Sequence, residues 1–230
     1  MNKSELEDMV KAKEDLKGVD LEKENLKGAN LRKAQLKGAN LNKTDLRGSD
    51  LRDAELTGAS FERADLTQAQ LNKSTLKKAD LTEAILKKAD FREANLEQAI
   101  LEKVDAAGAD FQGAKLERAD LTRAQLKDVN FRDCDLDYVI LERAELKGAN
   151  LREAKIRSSK LEMADFSGAN LRDADLRKAD LTRAIFKGAN LSGIDFRGAT
   201  LEYADFTDAV GLSNEQVKEI RDQNGIVNED

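Results

Sequence analysis

The 230-residue chain carries 39 Lys and Arg against 45 Asp and Glu, and its net charge of -6 is too small to mark a nucleic-acid-binding protein or an acidic tail. It has no His and one Cys, which excludes an internal disulfide and a Cys-rich zinc site and removes the commonest acid/base group. With 4% aromatic residues, no Trp and no Pro, an ordinary mixed globular core is excluded as well.

The first residues, Met1 to Asp8, lack the apolar stretch of a signal peptide, and no run of 18 apolar residues occurs. The expectation is a cytoplasmic protein without membrane contact. Ser4-Glu5-Leu6-Glu7 reads as a capping box opening a short helix over residues 1–13, with Leu6, Met9, Val10 and Lys13 on one mostly apolar face. From Leu16 to Phe206 a Leu or Phe then recurs at every fifth residue without insertion or deletion, in 39 pentads, with only Ile156 and Ala106 as substitutes. Two residues before each centre stands a small residue, mostly Ala, so that the repeat is written Ala-Asp/Asn-Leu-x-x.

A period of five suits neither regular element. On a helix, centres five apart rotate by about 140° each time and leave no apolar stripe. On a strand an odd spacing sends successive centres to opposite faces. A short extended piece followed by a turn meets the pattern, because the centre and the small residue before it then share one side while the turn brings the next centre back inward. The chain must wind around its own core.

Departures from the repeat are few. Gly stands two residues after the centre in 12 pentads, and residues such as Lys33, Asp53 and Tyr138 stand there in the other 27. A positive φ is therefore not expected at every corner, and Gly reads as a preference of individual corners. Ala106 is the one undersized centre, near Phe91, Phe111 and Phe131 in a four-sided winding; a larger neighbour is expected to fill the space, with a small internal cavity as the alternative. Cys134 takes a small inward position and is expected to be buried and unreactive. Ile85, Ile100, Ile140, Ile185, Tyr138, Tyr203 and Met163 stand where the pattern points outward. Tyr138 and Ile140 straddle one corner and Ile100 lies two coils from Ile140, which makes these three the candidate partner contact.

After the last pentad, Ser213-Asn214-Glu215-Gln216 reads as a second capping box, Leu212 and Val217 as a staple pair, and Val217 and Ile220 as a narrow apolar stripe. Asn224-Gly225 supplies a left-handed stop, with Ile226 expected to pack back on Ile220. Leu212, Val217 and Ile220 are thus candidates either for sealing the end of the core or for contacting a second subunit.

With Ala29-Asn30-Leu31-Arg32-Lys33 and its repeats in register over residues 14–210, the chain resembles the pentapeptide-repeat family. Gly211 to Val217 also resembles the segment that follows the coils in many members. The resemblance implies an all-β fold, a right-handed quadrilateral β-helix or solenoid with four pentads per coil. At the strand spacing of ~4.8 Å that makes a rod of about ten coils. The division expected is a capping helix over 1–13, the β-helix over 14–210, and a capping helix and tail over 211–230.

Some members of the family bind DNA gyrase by presenting an acidic rod in place of duplex DNA. Summed along the four sides, the charges here are +2, -3, -2 and 0, far from the one charge per ~1.7 Å of duplex DNA. Gyrase or topoisomerase binding by DNA mimicry is therefore the alternative reading. Catalysis fails on inventory: Asp80, Asp90, Asp110 and Asp120 are spread around the rod and read as solvated surface, and no convergent group or cofactor site is expected. The expectation is a non-enzymatic binding or scaffold module that meets an unidentified protein partner, with no direct nucleic-acid binding. A monomer is favoured, with an end-to-end dimer as the alternative.

Overall fold

The computed structural model describes residues 1–228. Between two short helices the chain forms a four-sided β-helix whose bridges are all parallel and join residues 20 apart, from Asp15 with Gln35 to Asn190 with Val210. Twenty residues are four pentads, so each pentad makes one side and each turn of the chain one rung. No strand longer than a single bridged residue forms among the described residues, because each extended piece is cut by the next corner. Every centre from Leu16 to Phe206 is at most 2% exposed.

The hydrogen bonds of one pentad explain the repeat. In Ala89-Asp90-Phe91-Arg92-Glu93, the Ala89 N–H donates to Leu86 O within the corner (3.0 Å), and Asp90 N–H to Ala69 O on the rung behind (2.9 Å). Phe91 N–H donates to Asp110 O (2.7 Å) and Glu93 N–H to Gln112 O (3.0 Å), both on the rung ahead. Four of five amides are thus used by backbone carbonyls. The fifth, on Arg92, donates to Asp90 Oδ1 at 3.0 Å. Every Asp or Asn preceding a centre, 24 in all, accepts this amide in the same way. Asp80, Asp90, Asp110 and Asp120 are therefore not merely solvated surface; their side chains complete the backbone, the role of an Asx turn.

The corners correct a second expectation. All 39 residues two after a centre have positive φ, between 54° and 62° for the 27 that are not Gly and between 62° and 73° for the 12 that are. One positive φ, at the third residue of a turn whose first carbonyl accepts from the fourth amide, is the type II pattern. A left-handed side chain costs roughly 1–2 kcal/mol, and the corner accepts that cost because any other φ would break the ladder on both neighbouring rungs.

Inside, Thr44 Oγ1 and Cys134 Sγ at the Ala position donate to centre carbonyls on the rung behind, Leu21 O at 2.9 Å and Phe111 O at 2.8 Å, whereas Ser74 Oγ donates to Leu71 O of its own corner and Ser49 Oγ has no partner among the described residues. Phe91 and Phe111 stack at 4.7 Å, and Phe111 and Phe131 lie 5.1 Å apart tilted by 36°. Beside this column Ala106 is fully buried, and Val104 stands two residues before it where most pentads have Ala. The larger valine in the same pentad returns volume that the missing leucine leaves.

Helix α1 spans Lys3–Lys11 and carries its capping box on Asn2 and Glu5, not on Ser4 and Glu7. Glu7 instead serves the first rungs, where its Oε1 accepts Asn30 N–H at 2.8 Å and replaces the carbonyl that a preceding rung would offer. Leu6 is fully buried at this end, Met9 and Val10 pack partly buried against the core, and Lys13 lies beyond the helix as a left-handed residue. Helix α2 spans Asn214–Asp222 with the expected Ser213/Gln216 box. Gln216 donates to Ile194 O (2.9 Å), while Gln223 accepts Leu201 N–H (2.9 Å) and donates to Ala199 O (3.3 Å). The two glutamines satisfy backbone groups that the last rung would leave orphaned.

After α2 the expected left-handed stop forms at Asn224, while Ile226 departs from expectation. Asn224 takes the left-handed conformation (φ 60°), and Gly225 is needed for close approach instead, since a Cβ there would stand 2.5 Å from Ile220 Cγ2. Ile226 does not pack on Ile220; it is 51% exposed and adds a bridge to Asp205, one more rung of ladder.

The corner geometry is open to a direct check by denaturant unfolding. At Gly188 (φ 63°) no atom lies within 4 Å of where a Cβ would stand, so Gly188→Ala should lower stability by about 1–2 kcal/mol from conformation alone. Gly193→Ala should cost more, because its Cβ meets Asp173 Oδ1 as well.

Candidate interaction surface

With the interior filled by Leu, Phe and Ala, polar chemistry is confined to the outside, where each pentad offers the residue before the centre and the two after it. These positions stack into lengthwise rows. Many acids in the rows are held by arginine two residues on: Arg52 Nε and Nη2 bond the two oxygens of Asp50 at 2.8 and 2.5 Å, and Arg47, Arg92, Arg177 and Arg197 repeat the fork on Asp45, Asp90, Asp175 and Asp195. For Asp45, Asp50, Asp175 and Asp195 the arginine side chain is the largest influence holding the carboxyl below its ordinary 3.8, against the opposing effect of burial and with help from the arginine backbone amide.

Tyr138 and Ile140 point outward on either side of the buried Val139, and Ile100 occupies the same row as Ile140 two rungs away, the bridges running Ile100 to Asp120 to Ile140. Ile100 is 38% and Tyr138 51% exposed, while Ile140 is half-buried. The Arg118 guanidinium lies over the Tyr138 ring, 5.2 Å from its centre; Arg183 stands likewise over Tyr203 at 5.9 Å. The structure thus brings Tyr138 and Ile140 to one corner and leaves Ile100 apart. Leu212 and Val217 are part-buried and Ile220 fully buried at the far end of the shaft.

A cluster beside Tyr138 escaped the sequence reading. Asp137 is only 7% exposed although its position is elsewhere an outward one. It accepts the Arg157 backbone amide at 2.9 Å, in place of the Asp or Asn that Lys155 displaces, and binds the Arg157 guanidinium through both oxygens. Among the described residues Ser159 is the one small residue whose amide does not close its own corner. Its Oγ reaches back to the rung behind, accepting Val139 N–H at 3.1 Å and donating to Leu136 O at 3.0 Å. A shallow cleft of about 470 Å³ follows, bounded by Glu117, Asp137, Tyr138, Arg157 and Arg177. The only signal in the sequence was an Asp followed at twenty residues by an Arg, which the mixed charge of the rows conceals.

Cys134 is 1% exposed, and burial pushes its thiol up to about 12. Among the described residues no group of His, Cys, Asp and Glu is arranged to hold a metal ion, and no helix is long and apolar enough to cross a membrane.

A parallel four-sided winding with small and Leu/Phe positions inward defines a β-helix solenoid. The family model of pentapeptide repeats matches in eight copies between residues 15 and 210, and the chain belongs to that family, whose fold is the right-handed β-helix. Among solved structures it is similar to HetL, a pentapeptide repeat protein involved in heterocyst differentiation regulation in the cyanobacterium Nostoc sp. strain PCC 7120, at 32% identity over 91% of this chain and 97% of that one, with a TM-score of 0.33. Full-length QnrB1, a plasmid-mediated fluoroquinolone resistance protein, matches at 21% identity over 92% and 97%, with a TM-score of 0.36. A pentapeptide repeat protein from the Arabidopsis thaliana thylakoid lumen matches at 28% identity over 52% and 76%, with a TM-score of 0.25. No curated protein matches the chain significantly.

Two measurements follow from these environments. The arginine-held aspartates contribute stability above their unfolded pKa that is lost as pH falls through their depressed folded values, so the melting temperature should be level from pH 7 to 5 and fall below about pH 4; a melting temperature that rises on acidification would contradict the assignment. Cys134 should react slowly with a thiol reagent in the native protein and rapidly in denaturant, whereas equal rates would place it at the surface.

Proposed function

We propose that the chain is a non-enzymatic protein-binding scaffold: a rigid, charged solenoid of about ten coils that presents its sides to a protein partner in the cytoplasm, without contacting nucleic acid or membrane. The observation that carries this reading is the placement of Ile100 and Ile140. Each takes the position where Asp or Asn would accept the amide two residues on, and the Glu102 and Glu142 amides accordingly have no acceptor among the described residues. Ile85 and Ile185 forgo the same bond; what singles out Ile140 is the exposed Tyr138 across its corner, with Ile100 exposed further along the same row, apolar surface that a partner would cover. Tyr138, the exposed aromatic across the corner, has the amphipathic character of an interface anchor. Leu212, Val217 and Ile220 serve in this reading as a lid that keeps the end of the shaft from pairing edge to edge. Residues 1–13 and 211–228 are then closing pieces and 14–210 the binding shaft; the last two residues of the expected 211–230 segment lie outside the described residues.

The alternative, a DNA-mimic that binds gyrase or topoisomerase, is disfavoured by the arginine forks, which neutralise the acidic rows at two-residue range. Affinity capture from the native host with the intact chain and with Tyr138→Ala/Ile140→Ala tests the scaffold reading: a partner held by the first and lost by the second supports it, and identical capture by both removes the corner from the interface. In a supercoiling assay at low micromolar protein no inhibition of gyrase is expected; stoichiometric, salt-sensitive inhibition would establish the alternative.

A further inference from the structure

On the side of the shaft that begins at Leu16, the residue after the centre is Glu97, Glu117 and Asp137 on three successive rungs and Arg157, Arg177 and Arg197 on the next three. The pentads of the first three rungs sum to -2 and those of the next three to +3. We propose that this side pairs with the same side of a second copy of the chain, the shafts antiparallel about a two-fold axis between the Leu136 and Ile156 rungs. The proposal takes Tyr138 from the scaffold reading and names an occupant for its side of the shaft.

A two-fold axis that crosses the shaft within the contact plane makes each lengthwise row face itself in reverse. Glu97, which holds Lys77 in its own chain, then meets Arg197 of the second copy, and Glu117 meets its Arg177, each arginine sharing its charge between the facing Glu and the Asp195 or Asp175 it already forks. The row before the centres obeys the same symmetry: Lys115 meets Asp175 and Asp135 meets Lys155. Self-complementarity in two independent rows about one axis is what an isologous contact requires. At the axis each Asp137 already holds the Arg157 of its own chain, so the centre is neutral. There Tyr138 stands 51% exposed opposite Ser158, a large ring against a small residue at the corner edge of the strip, midway along its length. Arg118 opposite Lys178 is the one like-charge pair, and Arg118 is engaged by the Tyr138 ring and by Glu117 at 3.3 Å.

The strip is large enough. Spread evenly over the chain, the accessible surface of 10704 Å² gives a five-residue unit about 230 Å², so six units present on the order of 1,400 Å², against the ~800 Å² per partner that a standard interface buries. The contact is nevertheless mostly polar and composed of exposed ion pairs, each of small worth. Association is therefore weak, with monomer in dilute solution and dimer at high concentration and low salt. It differs from an end-to-end dimer in leaving α2 free.

Sedimentation velocity of the purified full chain over a concentration series tests the proposal, with circular dichroism confirming that each variant is folded. The intact chain should dimerise at low ionic strength and lose the dimer near physiological salt, where the Debye length is ~8 Å. Arg177→Glu and Glu117→Arg should each weaken self-association at least about tenfold, since the symmetry doubles every like-charge contact. Mixed in equal amounts, the two variants should recover the dimer, because each Glu then faces an Arg on the other chain; the double variant should recover it alone. Tyr138→Ala should weaken it without altering its salt dependence. A chain that stays monomeric at several hundred micromolar and low salt, single variants that associate as the intact chain does, or a mixture that fails to recover the dimer would each overturn the proposal. Such a failure leaves the scaffold reading standing, since that is decided by capture of another protein through the Tyr138/Ile140 corner.

Discussion

The shaft depends on four backbone amides per side finding carbonyl acceptors while the chain turns a right angle, with the fifth left to a side chain. One closes the corner, two reach the rung ahead and one the rung behind, as the Ala89–Glu93 pentad shows. The remaining amide, at the first turn residue, finds no backbone carbonyl; wherever an Asp or Asn stands two residues earlier that side chain supplies the acceptor, and sides such as those of Lys37, Asn72 and Lys127 leave it without a protein partner among the described residues. A buried or half-buried amide without a partner costs about 1–3 kcal/mol. Repeated around a shaft of dozens of corners, that cost is large enough to write Asp and Asn into the sequence at fixed register.

The same closure explains why the corners override side-chain preference. Lys, Glu, Asp, Arg and Tyr occupy left-handed positions that an isolated peptide would give to glycine or asparagine. A corner cannot relax to a negative φ alone, since the rungs ahead and behind share its hydrogen bonds. Local preference is subordinate to the ladder, and for this reason the conformation could not be read from residue types at those positions. By contrast the core was fully legible, because a fivefold recurrence of Leu or Phe has no other explanation than a chain wound around its own interior. The aspartates were legible as a pattern and not as a function: a carboxylate that accepts an amide and one that is merely solvated have the same letter in a sequence.

The ends show the limit of motif reading in another way. Asn2/Glu5 and Ser4/Glu7 are both possible boxes, one nested against the other. The structure selects the first because Glu7 is required elsewhere, as the acceptor for Asn30 on the first exposed edge. Tertiary demand for one carboxylate thus sets the boundary of a helix two residues upstream. At the other end Gln216 serves both demands, its Oε1 closing the box on Ser213 and its Nε2 reaching Ile194 O, and there the sequence motif and the structure coincide.

A repeat this regular makes its exceptions informative. An outward position costs nothing to fill with Asp, Asn, Lys or Arg, and stability favours Asp or Asn before the centre and Gly after the first turn residue. Ile100 and Ile140 forgo a hydrogen bond, Tyr138 places a large ring at a left-handed corner, Asp137 buries a charge that only Arg157 makes tolerable, and Ser159 leaves its own corner unclosed to brace the one behind. Each departure is unfavourable for a free-standing shaft, and most of them share one stretch between residues 137 and 159. The bracing by Ser159 and Arg157 fixes the two corners that flank Tyr138, so the exposed ring stands on a firmly bonded base. That part of the shaft is thus the most irregular stretch of an otherwise uniform repeat, with an exposed ring between two braced corners, and the other rungs continue the ladder between the two end helices.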